Sequence, residues 1–547
     1  MAVETWRALG LELGLDEPDA ALRARALAAA GIDAADLRGF RIARKSVDAR
    51  RVRGKRHLRF IVHADLAVDA GYRSAALARA ERAGHVVRAP ETGRIEVERV
   101  HDSLAGRRIS VLGAGPAGLF AALVLSRNGI AVDLVERGAE LRERGRDLAA
   151  FQRSRVPDPE SNLLFGEGGA GTYSDGKLYT RVEHELEIPI LEELVACGAP
   201  EDVLYDARAH VGTDRLHRIL PRLRERLVAA GVRFHWHTRV DSLRLGRGAT
   251  ARVTALATAH GDLPCDALIF APGHSARDTW RALAAQGLPL ESKPFQLGVR
   301  IEHPQPLVDR GRYGEGPEAK LLGPAYYALT CKAGDGAPGA HSFCMCPGGQ
   351  IVASVSQPGL LCTNGMSNSR HSSPWANAAI VATLGPREFG AGAFAGVELQ
   401  ETLERACFEL GGGDYTAPAQ RAPDFLAGAT RAAVGRSSYR FGLRPARIDS
   451  LLPELVRAAL CHALARFDRT IPGFASAEGL LVGIESRSSG PIRISRDPET
   501  LLARSFANLF AVGEGAGTAG GIMSAAIDGA RAAQALLRDG LRVTWSS

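Results

Sequence analysis

Residues 107–118 read Arg107-Arg108-Ile109-Ser110-Val111-Leu112-Gly113-Ala114-Gly115-Pro116-Ala117-Gly118, a short β run that breaks into the pattern G-x-G-x-x-G. The pattern alone is weak, and its surroundings make it specific. A helix is expected over 118–128, Gly129 is placed to close it as a C-cap residue, and a second strand is expected over 130–135. That strand ends at Glu136, 18 positions after Gly118. Strand, glycine turn, helix, strand and acid form one βαβ unit suited to a dinucleotide. Gly113 permits the tight turn, Gly115 lets the backbone approach a pyrophosphate, and Gly118 lets helix and sheet pack closely. The helix N-terminus offers unpaired N–H groups and a partial positive charge to phosphates. Glu136 accepts from ribose hydroxyls in this reading, and a carboxylate there disfavours a 2′-phosphate. Arg137 beside it, with Ala114, Pro116 and Ala117 in the turn, completes the early cofactor-binding set.

The far end of the chain carries a matching piece. Asn508-Leu-Phe-Ala-Val-Gly513-Glu514 sets an apolar strand before a Gly–Glu pair, and Gly521-Ile522-Met523 opens a helix. This order resembles flavoproteins of the glutathione-reductase kind. There a late strand ends in a Gly–acid pair, the acid holds the ribityl chain, and the next helix aims its N-terminus at the flavin pyrimidine. Reduced flavin carries negative charge at that edge, and a helix dipole stabilises it. Leu268-Ile-Phe-Ala271-Pro-Gly273 resembles the apolar strand ending in A-x-G that joins such a cofactor domain to its next segment. Val240, in a strand expected over 232–243, joins the cofactor-binding candidates. Three elements in this order favour FAD over NAD. No second G-x-G-x-x-G stands in a βαβ setting, so a dedicated NAD(P)H domain is not expected.

Longer blocks resemble a broad bacterial family of FAD-dependent dehydrogenases. They include FGEGGAGTYSDGKL (165–178), KPFQLGVRIEHPQ (293–305), SFCMCPGG (342–349), GIESRSSGPIRI (483–494) and GEGAGTAGGIMSAAIDG (513–529). The resemblance runs from about residue 40 to the end of the sequence. Three positions depart from its pattern: Pro272 where Ile is expected, Gly490 inside an expected Ser–Pro pair, and Thr518 in place of Tyr. The last lies near the expected flavin.

One block imitates a different site. Seven of the eight positions of Gly171-Thr-Tyr-Ser-Asp-Gly-Lys177-Leu178 fit the phosphate loop G-x-x-x-x-G-K-[ST], and Leu178 replaces the Mg²⁺-binding hydroxyl. No strand is expected before Gly171, so the stretch reads as a second glycine loop against the flavin. Gly168, Gly169 and Ala170 give the close approach, and Lys177 holds a phosphate or the flavin edge. For catalysis the best candidates are Glu485 and Arg487, with Lys177; an Arg two positions from a Glu on an extended segment can clamp a carboxylate.

Composition bounds the rest. The chain has 547 residues, a net charge of +7, and only six Lys against 62 Arg. That charge is spread too thinly to argue for nucleic acid, and the ten Arg or Lys between Arg38 and Arg59 read as a solvated face. The eight Cys form no disulfide framework, and no C-x-x-C pair or other spacing points to a metal; Cys344 and Cys346 read as buried apolar side chains. No apolar run is long enough for a membrane span, the start is unlike a signal peptide, and a cytoplasmic setting is expected. The expected fold is α/β: a Rossmann-like FAD-binding domain in three layers, with a parallel sheet plus β-meander, an inserted mixed α+β substrate domain rich in β and loops, and a small N-terminal α/β domain. The expected boundaries are 1–105, 106–290, 291–475 and 476–547. The expected function is two-electron transfer between a small organic substrate and FAD, as dehydrogenase or reductase. The alternatives are a flavin monooxygenase using NAD(P)H and O2, and a flavin-bearing RNA-associated protein. The electron partner, NAD(P)H or another, stays open, as do the substrate and the oligomeric state. The C-x4-C pair of disulfide reductases of similar fold is missing near the first FAD helix.

Overall fold

The computed structural model describes residues 3–52, 55–180, 182–247, 250–334, 337–431 and 433–541. The N-terminal unit runs β1 (Val3–Leu13), α1 (Ala21–Ala30), β2 (Gly39–Asp48), β3 (Arg59–Asp69), α2 (Ala75–Arg82) and β4 (Val86–Arg88). Its sheet is antiparallel in the order β2-β3-β1-β4, the split arrangement of ferredoxin-like folds. Alternate residues of β3, Val62, Ala64, Leu66 and Val68, are buried with Leu22, Ala26 and Leu77 of the helices. The expected α/β domain is therefore an antiparallel α+β unit. Two of its strands, β1 and β2, come from stretches that read as an amphipathic start and a solvated basic patch. Five of the ten basic side chains there pair with acids: Arg38 with Asp69, Arg41 with Asp65, Lys45 with Asp19, Arg50 with Asp48 and Arg59 with Glu12. Arg53 lies outside the described residues.

The cofactor domain follows with β5 (Arg108–Leu112), α3 (Pro116–Arg127), β6 (Ala131–Val135), α4 (Leu141–Ser154), α5 (Glu187–Ala196), α6 (Thr213–Ala229) and β7 (Arg233–His235). A meander, β8 (Val240–Gly246), β9 (Arg252–Thr258) and β10 (Gly261–Pro264), then leads to β11 (Ala267–Phe270) and α7 (Arg277–Ala284). The single strand expected over 232–243 is two strands in different sheets. His237, with φ of 52°, turns the chain between them.

The insertion contains β12 (Phe295–Pro304), β13 (Thr330–Cys331), β14 (Ala340–Cys346), β15 (Thr363–Ser367), β16 (Trp375–Leu384), α8 (Ala395–Gly411), β17 (Ala417–Arg421), β18 (Leu443–Pro445), α9 (Glu454–Thr470) and β19 (Leu480–Glu485). Its mixed sheet runs β13-β14-β16-β12-β19-β17-β18. Two helices of 17 residues each stand where the composition suggests loops. Strand β19 pairs with β12, so the insertion extends past residue 475. An apolar run such as Leu480–Glu485 announces a strand but not which sheet receives it.

The chain then returns to the cofactor domain through β20 (Leu509–Ala511) and α10 (Ile522–Asp539). The parallel sheet is β20-β11-β5-β6-β7, so strands from both sides of the insertion share one layer. Helix α3 is buried at every residue from Ala117 to Ser126, between that sheet and α10. Gly529 of α10 makes this closeness possible: a Cβ there meets the Ala117 carbonyl oxygen at 1.9 Å.

Candidate functional site

The three glycines of the early turn do three different jobs. Gly113 has φ of 101°, and a Cβ on it meets the Ala271 oxygen at 2.2 Å. On Gly118 a Cβ meets the Gly113 oxygen at 1.9 Å. On Gly115 the nearest atom is the Gly169 Cα at 4.0 Å, so the space beside it is left open by the described residues. That open space belongs to a continuous cavity of about 1270 Å³, above the roughly 300–1,000 Å³ of an ordinary small-molecule pocket. Glu136 is buried at the edge of this cradle; its carboxylate accepts from the N–H groups of Ala114 (2.8 Å), Gly138 (2.9 Å) and Gly166 (3.0 Å). Arg137 lines the cavity and is fixed by Glu160 at 2.7 Å and Asp278 at 2.7 Å.

The late turn meets the early one. A Cβ on Gly513 meets the Ala117 Cβ at 2.9 Å. Glu514 accepts from the Gly521 N–H at 2.5 Å, at the first turn of α10, and its other oxygen lies 3.4 Å from His274 Nε2. A Cβ on Gly520 or Gly521 would meet no described residue within 4 Å, which leaves the α10 N-terminus open to the cavity. Thr518 donates to Asp528 at 2.8 Å, and Asp528 also receives the Gly513 N–H at 2.8 Å. Of the sequence candidates, Gly113, Gly115, Pro116, Ala117, Glu136, Arg137, Gly169, Ala170, Lys177, Val240, Ala271, Gly273, Gly513, Glu514, Gly521, Ile522 and Met523 line the cavity. Ala114, Gly118 and Gly168 do not: they lie under the surface, Ala114 and Gly168 joined by a backbone hydrogen bond of 2.8 Å. Two features fit a dinucleotide: the open flank of Gly115, which a side chain would fill, and the uncovered N-terminus of α10.

The loop 168–177 connects the two turns. Gly169 lies against Gly115, and Gly171 against Ile522. The segment Gly169–Tyr173 is a 3₁₀ turn, and Leu178 is buried in the core. The loop is not part of a strand–loop–helix unit, so the phosphate-loop reading fails. It ends in a polar floor of which sequence reasoning missed His210, Ser367 and His371. Asp175, 2% exposed, receives Lys177 Nζ, the Ser367 hydroxyl, and His210 Nε2 at 2.9 Å. Burial acts to raise the Asp175 carboxyl, and Lys177 and His210 overcome it and hold the group well below the usual carboxylate range. His210 stacks on His371 with ring centroids 4.2 Å apart, and His371 Nδ1 bonds the Pro347 oxygen at 2.9 Å. With its Nε2 hydrogen directed at Asp175, His210 keeps Nδ1 as the accepting atom. The residues converge from the loop 168–177, the segment before α6, β15 and the loop that follows β15. No spacing in the sequence joins them.

The expected catalytic residues need correction. Lys177 lines the cavity, but its ammonium is committed to Asp175 and, at 2.6 Å, to the Met345 oxygen. Arg487 reaches the wall with its guanidinium already bound to Glu404, at 2.6 and 2.9 Å, and to Ser356, so it is no free clamp. Glu485 does not line the cavity. It is 1% exposed, 3.3 Å from Arg300 Nε, and neither of its oxygens receives a hydrogen bond from the described residues. Burial pushes its carboxyl up to about 8, against the pull of Arg300. Its folded value thus exceeds the unfolded one of about 4.3, and stability falls as pH rises between the two, because the unfolded chain loses that proton first. Glu485→Gln is expected to leave flavin reduction at pH 7 unchanged within about twofold and to flatten that fall. Stopped-flow reduction and melts at acid and alkaline pH check both.

The outer wall comes from the N-terminal unit. Lys45 N–H donates to the Tyr205 oxygen at 2.7 Å and Ala207 N–H to the Lys45 oxygen at 2.9 Å, which pins β2 to the cofactor domain. Arg44, Lys45, Ser46, Val47 and Phe60 thereby line the cavity. Opposite them, Arg208 lies over the Tyr326 ring at 3.9 Å.

A Rossmann-like parallel sheet with two glycine turns on one cavity defines a dinucleotide-binding protein, and the family matches make the dinucleotide FAD. Residues 108–157 match a family described as "FAD binding domain" and residues 294–488 one described as "FAD-dependent protein, C-terminal domain-like". Residues 7–65 match a domain of unknown function. The chain belongs to the family of FAD-dependent proteins that includes an uncharacterized protein of Clostridium beijerinckii, 38% identical over 430 residues, which are 78% of this chain and 80% of that protein. Solved structures are similar at greater distance. Glycine oxidase of Bacillus cereus is 11% identical over 80% of this chain and 98% of its own, with a TM-score of 0.32. CtdE in complex with FAD is 10% identical over 80% and 85%, with 0.29. Thioredoxin reductase of Lactococcus lactis is 16% identical over 30% and 35%, with 0.17. At such scores they add nothing to the strand order. Among the described residues, no helix is long and apolar enough to cross a membrane.

Proposed function

We propose that this flavoprotein acts as a dehydrogenase on a small organic substrate, with the Asp175–His210 pair as its proton acceptor. FAD, when bound, supplies the two-electron acceptor. The early turn takes its pyrophosphate at Gly115, Glu136 its ribose, and Glu514 with the α10 N-terminus the opposite end. The substrate occupies the remaining volume, between the polar floor and the wall supplied by Arg44, Phe60 and Tyr326. The observation that carries the reading is the pairing of buried Asp175 with half-buried His210 on the wall of the cavity that both glycine turns share. Asp175 orients the imidazole and leaves Nδ1 as the accepting atom, which suits His210 to take a proton as the substrate is oxidised.

The test is anaerobic bleaching of the flavin band by a panel of hydroxy acids, amino acids and amines. A substrate that bleaches it without nicotinamide supports a dehydrogenase; bleaching that requires NAD(P)H, together with O2 consumed in step with substrate when the assay is repeated in air, establishes the oxygenase instead. With the bleaching substrate in hand, His210→Gln is expected to slow flavin reduction by about 10²–10⁴-fold at unchanged flavin content. A reduction rate within threefold of the parent removes His210 from the reaction.

A further inference from the structure

The pair Cys344–Cys346 lies outside the reaction just described. By spacing alone it reads as inert apolar packing, and six of the eight cysteines do sit buried; only Cys344 and Cys461 are partly exposed. Cys344 differs from Cys461 in four respects. It lines the cavity. It adopts φ of 43°, a left-handed conformation that is rare for a side chain other than Asn, Asp or Gly. It falls in a bulge: between Phe343 and Cys346, β14 spends one residue more than its partner β16 spends between Ala379 and Asn377. Bulges re-aim side chains, and here the Cys346 thiol donates to the Cys344 oxygen, with its Sγ 3.3 Å away.

The fourth respect is charge. Lys177 Nζ stands 4.0 Å from Cys344 Sγ and holds the next carbonyl, that of Met345. Arg300, wholly buried, donates to the Cys344 oxygen at 3.1 and 3.3 Å. The Cys346 thiol, then Lys177 and Arg300, pull the Cys344 thiol below its ordinary range against burial and Asp175, while Cys346 is pushed up. Glu485, behind Arg300, and the phenols of Tyr179 and Tyr327 are further titratable groups on this side.

We propose that Cys344 and Cys346 are a redox-active pair on the cavity wall, with Cys344 the attacking thiolate and Cys346 the resolving thiol. The co-reactant class is a low-molecular-weight disulfide. The Cys344 thiolate attacks one of its sulfurs, an S–S bond breaks, and one thiolate leaves with a mixed disulfide formed on Cys344. Cys346 then gives up its proton and attacks the Cys344 sulfur, and the second thiolate leaves. The two cysteines lose two electrons and become a disulfide; the small disulfide gains them and becomes two thiols.

The experiment uses the full-length, FAD-loaded protein with glutathione disulfide as probe. The expected result is loss of two hydrogen masses, with the cross-link mapped to 344–346. Cys346→Ser is expected to accumulate a glutathione adduct on Cys344 instead, and Cys344→Ser to give neither product. Iodoacetamide at pH 7 is expected to label Cys344 at least about tenfold faster than Cys461, and Lys177→Met to lower that rate and move its pH midpoint upward. Flavin content and melting temperature verify that each variant is folded. Labelling of Cys344 no faster than Cys461, or a folded Cys346→Ser protein that acquires no adduct on Cys344, overturns the proposal.

Discussion

Gly115→Val is expected to give a folded, colourless protein. The backbone at 115 has φ of −76° and ψ of 179°, extended values that valine adopts without strain. No described residue stands nearer than 4.0 Å to the added Cβ. Valine at a helix N-cap is less favourable than glycine, so the cost to stability is about 1 kcal/mol. The two methyl groups instead enter the open flank that the cofactor pyrophosphate would occupy, and the N–H groups at the start of α3 lose their access to phosphate. Flavin affinity is expected to fall at least about 100-fold, roughly 2.7 kcal/mol. Gly118→Val is the contrasting variant. Its Cβ drives into the Gly113 oxygen at 1.9 Å, so the protein itself is expected to misfold. The absorbance at the flavin band and the melting curve of each variant separate the two effects. A Gly115→Val protein that purifies with full yellow colour would show that the cradle holds no phosphate.

The difference between these glycines explains what is legible in the sequence. A G-x-G-x-x-G turn with its strand, helix and acid is local; its residues lie within one βαβ unit, and Gly118 and Glu136 make their contacts inside it, with Gly113 and Ala114. The late turn is legible for a similar reason, because Val512-Gly513-Glu514 and the start of α10 are contiguous. Their meeting at Ala117 depends on Gly529, which looks like any helical glycine until α3 is packed against it. The polar floor is illegible because Asp175, His210, Ser367 and His371 are brought together by separate segments. Glu485 and Arg487 mislead for the opposite reason. They are neighbours in sequence, but β19 ends between them and each turns to a different partner, Arg300 or Glu404. The N-terminal strands are hidden by their basic residues, whose acidic partners, Asp19, Asp65 and Asp69, lie tens of residues away in several cases. Cys344 illustrates a further limit: a C-x-C spacing in an even strand puts both thiols on one face, and the bulge that gives Cys344 its left-handed φ is not written in the spacing.

The largest loss of stability is expected from Glu404→Ala. Glu404, fully buried, sits between two guanidinium groups of similar burial. Its oxygens accept from Arg277 at 2.9 and 2.9 Å, from Arg487 at 2.9 and 2.6 Å and from the Ser486 hydroxyl at 2.6 Å. Gln400 and Gln357 supply further acceptors to Arg277. Without the carboxylate, two buried positive charges face each other with Glu401, 3.9 Å from Arg277, as the nearest remaining anion among the described residues. Breaking a buried pair costs about 3–5 kcal/mol, and here two pairs break together. The pH dependence has a definite sign. Burial acts to raise the Glu404 carboxyl, Arg277 and Arg487 overcome it, and the folded value lies well below the unfolded one of about 4.3. The contribution is therefore complete above the unfolded value and disappears as pH falls from there toward the folded one. Glu404→Gln, which keeps the shape but not the charge, is expected to abolish that acid slope. The position of the cluster makes the effect functional as well. Arg277 begins the helix that follows Gly273 and His274 on the cavity wall, α8 carries Glu404 from the insertion, and Arg487 follows β19. Glu404 thus ties the insertion to the cofactor domain at the edge of the cavity, and its loss is expected to speed flavin release along with unfolding. Urea denaturation followed by flavin fluorescence and by circular dichroism measures both; stability within about 1 kcal/mol of the parent at neutral pH would mean that the two arginines find other anions or water.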